Sequence, residues 1–259
     1  MLFRENMVAV QYSPSQKGSG LPKGSEGGSF FPSYSLFPEG SCPVTYLFSI
    51  DDDNYFLAET GAPLPKGFSF EPVRSLRGSS SRTAAFAGIT AFHLSVWYRD
   101  NRFCGRCGHL SQKSLTERAL LCPSCGNVIY PKISPAVIVA VTDGDRLLLS
   151  KYAHGEYRRE SLLAGFTEIG ENAESTVERE VFEETGLRVK HITYYKSQPW
   201  GLSGSLLLGY FAELDGSPAI TLDTRELSEA WWMPRGEISF EDDGISLTGE
   251  MIRIFRDGM

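Results

Sequence analysis

Gly165 to Leu187 reads GFTEIGENAESTVEREVFEETGL, and this stretch decides how the chain is read. Glu180, Glu183 and Glu184 fall at i, i+3 and i+4, spacings that share one face of an α-helix. Three like charges that close are costly unless a cation joins them. Hard carboxylate ligands on one rigid helix suit Mg²⁺ or Mn²⁺, and Mg²⁺ prefers a shell completed by substrate phosphates. Metal-assisted phosphate chemistry is the first expectation. The flanks agree with a helix. Asn172 is the predicted N-cap and Gly186 the predicted C-terminal stop. Ala173, Val177 and Val181 supply an apolar stripe, and Arg179 lies four residues before Glu183, where it braces the acidic face. Gly165 offers a backbone position without a Cβ, open to close approach by a ligand or metal. By itself EREVFEE reads as a solvated acidic helix; the spacing of the whole stretch is what argues for a site.

Upstream lies a second constellation. Cys104-x2-Cys107 and Cys122-x2-Cys125 are separated by 14 residues and sit in CGRCG and CPSCG. Four thiolates at this spacing suit one tetrahedral structural Zn²⁺, whose closed shell leaves no position for catalysis. The plain alternative is a set of reduced thiols without metal. Arg102, Arg106, Lys113 and Arg118 are the basic residues near the knuckles and give little support to a nucleic-acid role. Cys42, the fifth cysteine, reads as a semi-buried packing residue.

Composition sets the outer limits. At 259 residues the chain holds one large or two modest domains. A formal net charge of −7 argues against a general nucleic-acid or anionic-membrane binder, though not against a small polyphosphate site. MLFRENMVAV carries Arg4 and Glu5 and lacks an apolar core of signal-peptide length. Ala136 to Val141 is too short to span a bilayer, so the expectation is a cytoplasmic protein without membrane contact.

Three zones follow. Residues 1–97 form an N-terminal domain with apolar stretches at Tyr46 to Ile50 and Ala84 to Trp97. It contains a Gly/Ser/Pro-rich loop from Ser13 to Ser33, and Gly78 to Ser81 reads as a flexible join. Residues 98–130 form the zinc module, and 131–259 an α/β domain. There, Ser134 to Val141 reads as a buried strand, Asp143-Gly144 as its turn and Arg146 to Lys151 as a hairpin partner. Further strands are predicted near Val189 to Tyr195, Leu206 to Glu213 and Ser228 to Met233, and a closing helix at Ser246 to Arg256.

The stretch from Gly165 to Leu187 matches the Nudix signature G-x5-E-x7-R-E-U-x-E-E-x-G-U (U an aliphatic residue) at Gly165, Glu171, Arg179, Glu180, Val181, Glu183, Glu184, Gly186 and Leu187. A cysteine ribbon, then YPKISPAVIVAV from Tyr130, then this box, then Ser197-Gln198-Pro199-Trp200, is the order seen in NADH pyrophosphatases. The chain therefore resembles the zinc-containing NudC-type branch of the Nudix hydrolases over about residues 98–235. In that branch the last motif reads SQPWPFPxS. Here it reads SQPWGLSGS, so Gln198, Pro199, Trp200 and Ser205 match while Gly201, Leu202 and Ser203 depart.

The resemblance implies an α+β fold: a Nudix α/β/α sandwich with a mixed sheet, preceded by the ribbon and a divergent N-terminal domain. It implies more than one Mg²⁺ or Mn²⁺, held by Glu180, Glu184, the Ala164 carbonyl and Glu226, with Glu229 the nearby alternative. Glu183 or Glu184 is the implied base, and Glu171 and Arg179 hold the loop-helix shape. Substrate contacts carry over to Glu117, Tyr130, Phe166, which would stack the adenine, and the loop Gln198, Pro199, Trp200, Gly201, Leu202, Ser203, Gly204 and Ser205. Near the closing helix the ligand-contacting position falls on Thr248. The implied reaction is hydrolysis of NADH or NAD⁺ to AMP and nicotinamide mononucleotide, with removal of an NAD cap from RNA as the same chemistry. A homodimer is the implied assembly. Hydrolysis of another nucleoside diphosphate such as ADP-ribose, and noncatalytic nucleotide sensing, stay open as alternatives.

Overall fold

The computed structural model describes residues 1–11, 30–58, 63–154, 159–240, 242 and 244–258, so most of the Gly/Ser/Pro-rich loop lies outside the described residues. Two units are found, Met1–Lys132 with Gly201–Gly204, and Ile133–Trp200 with Ser205–Met259.

In the first unit, β1 (Phe3–Arg4), β2 (Met7–Gln11), β3 (Val44–Ile50), β4 (Asp53–Ala58) and β5 (Phe68–Pro72) precede the 19-residue helix α1 (Arg82–Asp100). Strands β1, β2 and β5 make one antiparallel sheet and β3–β4 a hairpin. Val8, Val10, Leu47, Leu76, Ala87 and Ala91 form the centre of their shared core. The close fit of α1 depends on Gly88, where a Cβ would lie 2.5 Å from Leu76 Cδ1. Gly78 to Ser81, expected as a flexible join, is a connection inside this unit. The Ser79 amide donates to Leu76 O, and Ser81 Oγ caps α1 by accepting from Ala84 N at 3.1 Å. The ribbon follows as β6 (Gln112–Lys113), β7 (Leu120–Leu121) and β8 (Val128–Ile129), a small antiparallel sheet. It belongs to the same unit as the N-terminal strands. Arg118 donates to Leu47 O, and Lys113 donates to Thr45 Oγ1 while lying over the Tyr98 ring.

The second unit is a three-layer sandwich. Its elements are β9 (Ser134–Asp143), β10 (Arg146–Tyr152), β11 (Leu163–Phe166), α2 (Ala173–Thr185), β12 (Val189–Trp200), β13 (Ser205–Leu214), β14 (Leu227–Pro234) and α3 (Leu247–Asp257). The sheet order is β12-β13-β9-β10-β14, with β11 also paired to β9. It is mixed, because β13 runs parallel to β9 while the other pairs are antiparallel. The period-two rule assigns its faces. Val137, Val139 and Val141 pack with Val177 and Val181 of α2, whereas Ile138 and Ala140 pack with Met251, Ile252 and Phe255 of α3. Burial on both faces explains why β9 reads as an unbroken apolar run. Full burial of each such aliphatic contributes about 1.5–3 kcal/mol, so this central layer dominates the unit's stability.

One pairing differs from expectation. Strand β10 meets β9 only at Arg146↔Asp143 and Leu147↔Thr142, then zips along β14 over its whole length. Strand β11 occupies the rest of that edge of β9, from Leu163↔Val139 to Phe166↔Ala136, and so β10 diverges. β12 runs past the predicted Tyr195 through the SQPW residues and ends at Trp200, with Pro199 opposite Leu206. β12 is an edge strand, where a proline without an N–H is tolerated.

Candidate active site

The pairing of β11 with β9 places Gly165 against Glu180 of α2, and the site is built on that approach. A Cβ on Gly165 would lie 1.9 Å from Glu180 Cδ. Glycine is needed here because the carboxylate of Glu180 fills the space, not because an external ligand does. The helix starts where the capping signal predicted, Asn172 Oδ1 accepting from Ser175 N at 2.8 Å, and ends at Gly186 with φ +69°.

Arg179 organises the acidic face. It donates to Glu171 Oε1 at 2.6 Å, Glu180 Oε1 at 2.8 Å, Glu183 Oε2 at 3.0 Å and Phe166 O at 2.9 Å. Glu171 also accepts from Glu168 N and Thr176 Oγ1, each at 3.0 Å. The Arg179 hydrogen bonds, then the Glu168 amide, hold the Glu171 carboxyl down at about 2. Glu171 and Arg179 thus brace the loop against the helix.

Glu184 is different. It is 2% exposed, and among the described residues no hydrogen-bond partner reaches its Oε2. Burial, then the charges of Glu180, Glu226, Asp223 and Glu183, pushes its carboxyl up to about 8. Burial is also the main reason Glu180 is raised, with Arg179 opposing it. A buried carboxylate oxygen with nothing to accept from is expensive, and its neighbours are of the same sign. A proton or a divalent cation meets both conditions, and the hard oxygen donors fit Mg²⁺ or Mn²⁺. Glu226 stands within the field of Glu180 and Glu184, whereas Glu229 pairs with Lys151 at 2.9 Å. Glu183 is 58% exposed at its side chain and turned to Arg179. Asp223, which the sequence reading did not single out, belongs to the same field. Its signal was a turn-forming Asp three residues before Glu226.

The other predicted residues are placed as follows. Phe166 ends β11 and is 56% exposed. Gln198 donates through Nε2 to Ile245 O at 2.6 Å, which ties β12 to the loop before α3. Trp200 is half-buried and Ser205 is buried, opposite each other across the β12–β13 pair. Thr248 lies in the first turn of α3. In the first unit, Tyr130 donates to Glu117 at 3.2 Å, and the Glu117 charge raises the Tyr130 hydroxyl. Gly201 and Gly204 face α1 there: a Cβ on Gly201 would sit 2.8 Å from Ile89 O, and one on Gly204 3.0 Å from His93 Nε2. Leu202 packs against the core of that unit. Those contacts account for small residues at Gly201 and Gly204 in this chain.

The four predicted zinc ligands do converge. Among the described residues, Cys104, Cys107, Cys122 and Cys125 gather their ligand atoms within 4.8 Å of one another. Backbone amides face the sulfurs, and that of Arg106, ahead of that of Cys107, brings the Cys104 thiol down to about 6 against the effect of burial. The donor set fits a closed Zn²⁺ shell.

Comparison with known proteins agrees with this geometry. Residues 132–253 match the NUDIX domain, and residues 99–130 match the NADH pyrophosphatase zinc ribbon domain. The NAD-capped RNA hydrolase NudC of Enterobacter sp. (strain 638) is 45% identical over 139 residues, 54% of this chain and 54% of that protein. The protein of the same name from Escherichia coli O157:H7 is 44% identical over the same length, again covering 54% of each chain. The chain spans about half the length of the curated relatives it matches. A crystal structure of a NUDIX hydrolase from Nitrosomonas europaea superposes with a TM-score of 0.53 at 22% identity, covering 61% of this chain and 92% of its own, a likeness of fold alone.

Proposed function

Since this chain belongs to the Nudix family and carries the NADH pyrophosphatase zinc ribbon before its Nudix domain, we propose that it hydrolyses the pyrophosphate bond of NADH or NAD⁺. The products are AMP and nicotinamide mononucleotide. The observation that carries the reading is Glu184, buried with an unpartnered oxygen among Glu180, Glu226 and Asp223. A nucleotide-binding surface without chemistry has no need of such a group.

In this reading Glu180, Glu184, Glu226 and the Ala164 carbonyl hold Mg²⁺ or Mn²⁺, more than one per site. The bound cations supply charge neutralisation on the two phosphates and a lowered pKa for water. Glu183 or Glu184 accepts the proton of the attacking water. One P–O bond of the bridge breaks, and the oxygen from water ends on one of the two monophosphates. Arg179 and Glu171 keep the carboxylates in place. Phe166, exposed at the end of β11, offers a face for a base. Glu117, Tyr130 and Gln198 to Ser205 serve the substrate. Zn²⁺ is structural, one per chain, in the ribbon.

The same chemistry extends to the NAD cap of an RNA 5′ end, as the names of the NudC relatives suggest. A homodimer is the proposed assembly. Among the described residues no helix is long and apolar enough to cross a membrane, and a cytoplasmic location is part of the proposal. The departure at Gly201, Leu202 and Ser203 favours a second reading, hydrolysis of ADP-ribose or a related nucleoside diphosphate.

Chromatography of products after incubation with NADH, NAD⁺ and ADP-ribose, in Mg²⁺ or Mn²⁺, decides between them. AMP with reduced nicotinamide mononucleotide from NADH, absent with Glu184→Gln, is the expected result. Cleavage of ADP-ribose alone would transfer the assignment to the second reading, and no cleavage at all would remove both.

A further inference from the structure

The loop that brings Glu226 to the helix face is hung from the end of α2, and one residue makes its turn. The last carbonyls of an α-helix lack helical amide donors. Here two of them accept from the loop, Thr185 O from Thr221 N at 2.8 Å and Glu184 O from Asp223 N at 2.9 Å. Asp223 then folds the chain back. Its Oδ1 accepts from the backbone N–H of Arg225 at 3.0 Å, an Asx-turn. Its carbonyl accepts from Glu226 N at 3.2 Å and Leu227 N at 3.0 Å. The Arg225 guanidinium closes over the carboxylate, Nε to Oδ1 at 3.0 Å and Nη2 to Oδ2 at 2.6 Å. Beyond the turn, Glu226 O accepts from Ala153 N at 2.8 Å. The backbone of Glu226 is therefore fixed on both sides, from a residue bonded to Glu184 itself.

We propose that Asp223 is a positioning residue, which caps the Glu184 carbonyl and makes the turn that sets Glu226 beside Glu184 in the cation site. The inference rests on the reading of these carboxylates as a cation-binding group. Arg225 is 88% exposed at its side chain, and an exposed ion pair of this kind stabilises little. The turn made by Oδ1, rather than the charge of Asp223, is what holds Glu226. Two substitutions separate them. Asp223→Asn keeps the acceptor and removes the charge, while Asp223→Glu keeps the charge and moves the acceptor one methylene away.

The test is Mn²⁺ binding to the full zinc-loaded chain, read by electron paramagnetic resonance of free Mn²⁺. Alongside it go hydrogen exchange at the amides of Glu226 and Leu227 without Mn²⁺, and steady-state kinetics. Asp223→Ala and Asp223→Glu are expected to weaken Mn²⁺ binding about 10- to 100-fold, the range for losing a group that orients a metal ligand. They should lower kcat, leave KM within about twofold, and speed exchange at both amides. Asp223→Asn is expected to stay within about threefold of the unaltered chain. The Glu variant carries the comparison if the Ala variant fails to fold. Unaltered Mn²⁺ affinity in Asp223→Glu overturns the inference, and so does an Asn variant as weak as it. An unaltered chain that binds no Mn²⁺ overturns the cation reading and this inference with it.

Discussion

At the scale of the residue, the site turns on which atoms are missing as much as on which are present. Gly165 has no Cβ, and Glu180 occupies the volume where one would stand, 1.9 Å from Cδ. Adding that methyl must push Glu180 out or lift β11 away from α2. Gly165→Ala is expected to destabilise the chain by about 1–3 kcal/mol, the usual cost of overpacking. It should also lower turnover by at least about tenfold, because Glu180 is displaced from Glu184. Thermal melts and kinetics on one preparation check this, and a fully active, equally stable variant would show that Glu180 has room to move. The glycine was legible in the sequence, but its neighbour was not. The missing Cβ suggests a close approach without saying that it is the protein's own carboxylate that approaches.

At the scale of the element, legibility followed the range of the forces involved. Helix α2 was readable to within a residue because its cap at Asn172, its stop at Gly186 and its Val177–Val181 stripe are local. The cysteine ribbon was readable because four thiolates must meet one centre, which fixes their spacing. Strand β10 was found, yet its main partner was missed, since only the competition of β11 for the edge of β9 sends it to β14. Asp223 escaped for a related reason. Its importance lies in a backbone bond to Glu184 O, 39 positions back in the sequence by their numbering. The ribbon also carries a prediction proper to an element. A structural Zn²⁺ in such sites is worth about 10–16 kcal/mol of apparent binding free energy, comparable to a whole domain's stability of about 5–15 kcal/mol. Cys122→Ser is therefore expected to drop zinc from about one per chain to near zero and to unfold the ribbon, with Arg118 and Lys113 losing their places against Leu47 and Thr45. Zinc analysis with circular dichroism measures it, and undiminished zinc would refute the four-cysteine shell.

At the scale of the whole molecule, the buried acid should make stability depend on pH in a direction opposite to the ordinary carboxylate case. Glu184 keeps its proton in the fold up to about 8, against 4.5 without its surroundings. Between those values the folded chain binds a proton that the unfolded chain does not, so stability falls as pH rises through that window. Glu171 and Asp223 act elsewhere. Each is held at about 2, so their contribution is present above the ordinary carboxylate range and lost only in acid. The informative comparison is therefore between the unaltered chain and Glu184→Gln, in which every other group is shared. Without divalent cations, the variant should gain on the unaltered chain steadily from pH 5 to pH 8. At pH 8 it should melt higher, by about 2–4 °C for each kcal/mol gained in a chain near this size. Mg²⁺ or Mn²⁺ should then reverse the order, stabilising the unaltered chain more at pH 8 than at pH 6 and the variant hardly at all, because only an ionised Glu184 offers both oxygens to a cation. Melting curves that run parallel for the two proteins across that range would mean Glu184 is ionised in the fold already, and the acidic face would then be a solvated surface rather than a site that waits for a metal.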